Sequence, residues 1–99
     1  MYTVVKKRVL AKAIVLLEIE TPDVAKKAQA GQFVIVRQFD NSERIPLTIM
    51  DYDRQKGTVT IVLQAVGYSS TLLTKLEEGD SLLDFVGPLG QPTEIKNYG

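Results

Sequence analysis

Cysteine and histidine are both absent from this 99-residue chain. Without them there are no disulfides, no thiolate or imidazole metal ligands, and no catalytic triad built on histidine. Net charge is missing too, since twelve basic residues balance twelve acidic ones. A neutral chain exerts no overall pull on nucleic acid or an anionic membrane surface. No apolar run approaches the roughly 20 residues needed to span a bilayer. No signal peptide precedes the first strand-like segment, so the default expectation is a cytoplasmic protein.

What is present fits a small globular domain, with hydrophobic residues at 44% and charged residues at 24%. A domain of this size hides only about 60–65% of the surface its unfolded chain exposes, which leaves little room for a large private cavity. A cluster of basic residues, Lys6, Lys7, Arg8 and Lys12, falls within strand-like sequence. It reads as a solvated strand edge kept charged against aggregation rather than as a phosphate-tracking patch.

Strand signals dominate. Tyr2 to Leu10 is rich in β-branched residues, and Ala13, Val15, Leu17 and Ile19 then alternate with Ile14, Leu16, Glu18 and Glu20. The charged end of the second set predicts that the first set faces the core. Thr21-Pro22-Asp23 breaks the strand and starts a short helical turn through Ala28. A third strand is expected over Phe33 to Arg37, a polar turn over Asp40-Asn41-Ser42-Glu43, and a fourth strand from near Ile45 to Tyr52. Asp53 to Gly57 has the length of a hairpin connection, with Asp51 and Asp53 solvated beside it. In the fifth strand, Thr58 to Val66, the residues Val59, Ile61, Leu63 and Ala65 form one face. Ser69 or Ser70 can cap a helix running to Leu76, and Gly79 stands where a helix stop is expected. A sixth strand covers Leu82 to Val86, where adjacent apolar residues break the alternation in the manner of a bulge. The stretch Gly87 to Gly99, with three glycines and two prolines, has linker chemistry. The fold class expected is all-β: six antiparallel strands closed or nearly closed into a barrel, with one short helix before the last strand.

Two segments have chemistry to offer. In Arg44-Ile45-Pro46-Leu47-Thr48-Ile49, Pro46 cannot donate to a sheet ladder and belongs at an edge, a strand start or a bulge. Backbone carbonyls and the Thr48 hydroxyl are then available to a ligand, although an edge strand with a proline gatekeeper explains the same residues. In Gly67-Tyr68-Ser69-Ser70-Thr71, a glycine permits close backbone approach, and a helix start with serine hydroxyls suits phosphate oxygens. A capped helix after a tight turn needs no ligand at all. Neither GxxxxGK nor GxGxxG occurs, and no carboxylate pair has acid–base spacing.

Taken in order, Gly31-Gln32-Phe33, Arg44 to Ile49, Gly67 to Thr71, Gly79-Asp80 and Gly87-Pro88-Leu89-Gly90 resemble the FAD-binding barrel of the ferredoxin–NADP reductase superfamily. The likeness points to the branch holding the dihydroorotate dehydrogenase electron-transfer subunit and the small subunit of ferredoxin:NADP oxidoreductases. It implies a Greek-key barrel over residues 1–90 with FAD across its open side, and a linker over 91–99 toward an absent NAD(P)-binding domain. In that family the strand after the third reads Arg-x-Tyr-Ser/Thr. Here Ile45 takes the arginine position, Pro46 the variable one, Leu47 the tyrosine position and Thr48 the hydroxyl position, which the resemblance puts near the flavin N5 edge. Arg44 lies one residue early, so a regular strand would turn it to the face opposite the family arginine. The resemblance also implies that Val62, Leu63 and Gln64 border the flavin and ribityl chain, and that Gly67, Ser69 and Ser70 hold the pyrophosphate.

The function so implied is electron transfer between NAD(P)H and an iron–sulfur carrier such as ferredoxin, within a larger oxidoreductase. NAD(P) and a 2Fe–2S cluster are expected only in the missing part of the parent protein, and the isolated barrel is expected to be inactive alone. Two other classes compete: a structural or subunit-docking barrel that holds no cofactor, and an oligonucleotide-binding barrel. The neutral charge and only seven percent aromatics disfavour the latter. No membrane partner is expected.

Overall fold

The structure is a computed structural model and describes residues 2–29, 31–38, 43–65 and 67–90. The elements run β1 (Tyr2–Ala11), β2 (Ile14–Glu20), α1 (Pro22–Lys27), β3 (Phe33–Arg37), β4 (Ile45–Asp53), β5 (Thr58–Gln64), α2 (Tyr68–Thr74), β6 (Ser81–Leu82) and β7 (Asp84–Leu89). Strand neighbours follow the order β6-β1-β2-β5-β4-β3-β7, all antiparallel. Pairing β2 with β5 rather than with β3 is the non-local step of a Greek key.

Two strands turn the corners of the barrel. β4 pairs with β3 from Ile45 to Thr48 and with β5 from Ile49 to Asp53, and its register shifts between Ile49 and Asp51. The expected sixth strand is broken in two. Ser81 and Leu82 pair with β1, Leu83 donates its N–H to the Arg37 carbonyl at 2.9 Å, and β7 pairs with β3. The broken alternation noted around Leu83 is therefore a corner between two sheets, with Leu82 and Phe85 both buried on either side of it. The Tyr2 and Phe85 rings meet at 5.9 Å where the two ends of the barrel close. Seven strand segments replace the six expected because this one strand is split. Gly87, Pro88 and Leu89 belong to β7, which corrects their reading as linker; residues 91–99 lie outside the described residues.

The core is the inward set of each strand. Val15, Leu17 and Ile19 of β2 meet Val59, Ile61 and Leu63 of β5, joined by Val4, Val34, Val36 and Ile49. Ala13 does not join them. It occupies the β1–β2 turn with φ of 67°, exposed, and β2 starts at Ile14. Likewise β5 ends at Gln64, leaving Ala65 half-buried beyond it, while Val66 lies outside the described residues. Residues 40–42 of the expected polar turn also lie outside them.

The helix α1 has proline at its start, Asp23 in its first turn and Lys26 and Lys27 in its last, each favourable to the helix dipole. It buries Val24 and Ala25. Its entry is fixed by Thr21, whose N–H donates to the Gly57 carbonyl at 2.8 Å, and its exit by Arg54, which donates to the Lys26 and Ala28 carbonyls at 3.2 and 2.8 Å. Asp53 is more than a solvated bystander, since its Oδ1 accepts the Gln55 and Lys56 N–H groups at 3.0 Å and shapes the β4–β5 turn. α2 starts at Tyr68 and ends at Thr74, so the cap position falls to Gly67 and not to Ser69 or Ser70, which lie within the first turn.

Candidate functional site at the divergence of β4 and β5

Antiparallel pairing of β4 with β5 stops at Ile49 and Ile61. Had it continued, Thr48, Leu47 and Pro46 would stand opposite Val62, Leu63 and Gln64. Instead Leu47, Thr48 and their neighbours pair with β3, while Val62, Leu63 and Gln64 remain paired with β2. Among the described residues, the β4-facing edge of β5 beyond Ile61 has no ladder partner. Pro46 fits this departure, because it has no N–H to give a ladder. It pairs with Ile35 on the strand that β4 turns toward.

The sequence-derived candidates divide by face. Pro46, Thr48 and Gln64 are exposed and Val62 is half-buried, so these four present side chains outward. Ile45 and Leu47 are half-buried and pack against the core, and Leu63 is 1% exposed within it. The Leu63 side chain therefore cannot border a ligand, and only its main chain lies on the unpaired edge. Arg44 shares the outward face of Pro46 and Thr48, as alternation requires. Its guanidinium lies 4.0 Å from the Asp84 carboxylate, which Arg37 engages more closely at 2.6 Å.

At the far end of β5, the Gly67 carbonyl accepts the Thr71 N–H at 2.9 Å and the Thr71 hydroxyl at 2.6 Å, anchoring the start of α2. The hydroxyl roles expected of Ser69 and Ser70 lie outside the described residues. α2 follows β5 in the chain, and the Thr48 segment pairs with β3 beside the point where β4 leaves β5.

Two residues escaped the sequence reading. Gln32 accepts the Gln29 N–H on its side-chain oxygen at 3.0 Å, donates its amide to the Gly90 carbonyl at 3.1 Å, and accepts the Ile49 N–H on its main chain at 2.8 Å. It thereby fixes the residue at which β4 changes partner. Asp84, holding Arg37 and facing Arg44, was signalled only as a lone carboxylate inside an apolar strand.

Comparison with known proteins places this barrel. No family model matches the chain. An uncharacterised protein of Clostridium beijerinckii is 53% identical over 95 residues, covering 96% of this chain and 32% of that protein. The Thermotoga maritima homolog of the dihydroorotate dehydrogenase B (NAD(+)) electron transfer subunit is 44% identical over 96 residues, covering 97% of this chain and 34% of that one. A solved NADH-dependent reduced ferredoxin-NADP oxidoreductase, described for flavin-based electron bifurcation, superposes with a TM-score of 0.92 at 40% identity. The match covers 95% of this chain and 34% of that one. The chain is a barrel of the ferredoxin–NADP reductase superfamily. Within that superfamily it stands with the dihydroorotate dehydrogenase B electron transfer subunits, and it spans about a third of the length of the curated relatives it matches. Ile45 and Leu47 are both apolar and turned toward the core, at the positions where the resemblance set out from the sequence expects arginine and tyrosine. Among the described residues no helix is long and apolar enough to cross a membrane, and no cluster of acidic residues could hold a metal ion.

Proposed function

We propose that this chain is the FAD-holding barrel of an electron-transfer subunit whose parent protein moves electrons between NAD(P)H and an iron–sulfur carrier such as ferredoxin. The observation that carries the reading is the change of partner by β4. It leaves the Thr48 segment and the Val62–Gln64 edge of β5 as the two sides of one interruption in the sheet.

The residues there fit a flavin dinucleotide. The exposed Thr48 hydroxyl and Gln64 amide supply both donors and acceptors, as the rim of a flavin ring requires. Val62 offers a half-buried apolar surface, and the unpaired main chain of β5 supplies further N–H and C=O groups. Gly67, Ser69 and Ser70 would receive the pyrophosphate. Pro46 keeps β4 out of the β5 ladder, and Ile45 and Leu47 hold the strand to the core. Arg44, on the same face as Thr48, would reach the phosphates only by leaving Asp84. Bound FAD supplies the chemistry that converts two-electron into one-electron transfer. The protein groups named here bind and orient it, and none need act as an acid or base. A cysteine-ligated cluster cannot be assembled from this chain, which has no cysteine; in this proposal a 2Fe–2S centre and the NAD(P) site would lie in other parts of the parent protein.

Titration of FAD into this chain, and into the parent polypeptide, tests the proposal by flavin fluorescence. Weak binding to the chain and firm binding to the parent are expected, with Thr48→Val and Ser70→Ala each weakening it. A second reading, a docking barrel without cofactor, draws on the engagement of Arg44 with Asp84 and the inward packing of Leu47. Failure of the intact parent to bind FAD would establish that reading instead.

A further inference from the structure

On the opposite side of β2 from β5, strand β1 is only half used. Its first residues are paired on both edges: Tyr2 and Thr3 face β6, and Val4 exchanges main-chain bonds with Gly79 and Asp80 at 2.8 Å. From Lys6 to Ala11 it pairs with β2 alone. Among the described residues no strand covers the other edge there. The Lys7 N–H on that edge is met by a side chain, the Glu78 carboxylate at 3.3 Å, in the place a neighbouring strand's carbonyl would take. Register is regular from Lys7 to Val9, so the Val9 N–H and C=O point the same way as those of Lys7. Beside them lies an open cavity of about 500 Å³ lined by Lys7, Val9, Glu77 and Glu78.

Side chains along this edge are sorted by face. Val9 stands opposite Val15 on the inward face, yet it is 67% exposed. Lys6 and Arg8 stand opposite Glu18 and Leu16 on the outward face. Lys6 has Glu18 at 3.9 Å and Lys7 has Glu77 at 3.2 Å, whereas Arg8 and Lys12 make no salt bridge among the described residues.

We infer that the Lys7–Ala11 edge of β1 accepts one extended strand from another polypeptide, with acidic residues on its outward face and apolar residues on its inward face. The acidic face meets Arg8 and Lys6. The apolar face covers Val9 across the cavity. Main-chain bonds to the Val9 N–H and C=O set the register, which is strand addition to a sheet edge. A second copy of β1 suits less well, because that strand carries no acidic residue to set against Lys6 and Arg8. The inference is independent of the flavin reading, since this edge lies on the far side of β2 from the β4–β5 interruption.

The test is titration of the full chain with a capped synthetic peptide, Val-Glu-Val-Glu-Val-Glu, following individual amides by NMR hydrogen exchange. At saturating peptide the Val9 amide should exchange at least about tenfold more slowly, with Val59 in the core unchanged. A peptide with lysine in place of each glutamate should not protect Val9, and Arg8→Glu should reverse that preference. Equal protection by both peptides, no protection by either, or a Val9 amide already protected in the free chain would overturn the inference. Val9 protection that grows with protein concentration alone would mean self-association, and would overturn it as well.

Discussion

Thr48→Val and Leu63→Ala make a paired perturbation that separates a ligand wall from the core behind it. The Thr48 side chain is exposed and has no hydrogen-bond partner among the described residues, so exchanging its hydroxyl for a methyl should leave stability within about 0.5 kcal/mol. If that hydroxyl bonds the cofactor, its loss removes one net hydrogen bond of about 0.5–1.5 kcal/mol, or about two- to twelvefold in flavin dissociation constant. Leu63, 1% exposed, should behave in the opposite way. Its truncation should cost about 2–5 kcal/mol through lost burial and the cavity left behind. At about 4–8 °C per kcal/mol in a domain of this size, that is a fall of at least about 8 °C in melting temperature. Thermal unfolding of each variant without flavin, and flavin titration of each at a temperature where it is folded, give the four numbers. A melting temperature lowered by several degrees in Thr48→Val, or an unchanged flavin affinity in that variant, would refute the assignment of Thr48 to the ligand side.

Three further outcomes probe the scaffold, each by thermal or denaturant unfolding. Gly57→Ala should cost about 2 kcal/mol, because φ is +72° and an added Cβ would stand 3.0 Å from Pro22 Cγ and 3.2 Å from its Cα, at the contact that seats α1. Ala13→Gly should stabilise by about 0.5–1 kcal/mol, since alanine holds a left-handed φ of 67° in an exposed two-residue turn. Arg54→Ala should cost about 1 kcal/mol, removing the donors to the Lys26 and Ala28 carbonyls and the guanidinium 4.6 Å over the Tyr52 ring, with Arg54→Lys recovering only part because a lysine cannot fork between two carbonyls.

Strand identity and facing were legible wherever two-residue alternation ran unbroken. In β2 and β5 the inward sets Val15-Leu17-Ile19 and Val59-Ile61-Leu63 are those that alternation selects. Reading failed at the ends of elements, where local chemistry competes. Ala13 continues the apolar alternation of β2, but the hairpin needs it as a turn residue. The serines after Gly67 are good caps, yet Gly67 already takes the cap position and draws them into the first turn. Around Leu83 the sequence signalled irregularity without its cause, since a strand that passes from one sheet to another must bury residues three apart, here Leu82 and Phe85, rather than two. Within the candidate site, alternation alone separates Leu63 from Val62 and Gln64. The family likeness had grouped all three, because a main-chain contact and a side-chain contact look the same in a motif.

The partner change of β4 ties these strands of evidence into one cause. Pro46 removes a donor, Gln32 accepts the Ile49 N–H at 2.8 Å, and the register slips between Ile49 and Asp51; all three fall within six residues of the point where β4 leaves β5, or on the residue that binds it there. A barrel this small has no volume to spare for an internal cofactor pocket, so the dinucleotide proposed above would lie along its surface. The binding proposed here draws on main-chain groups and neutral side chains. An interrupted ladder would provide the first, and Thr48 with Gln64 the second, under the function proposed above. The sequence features that look like flaws in a sheet, a proline in a strand and an alternation that slips, are on this account what leaves the β5 edge open.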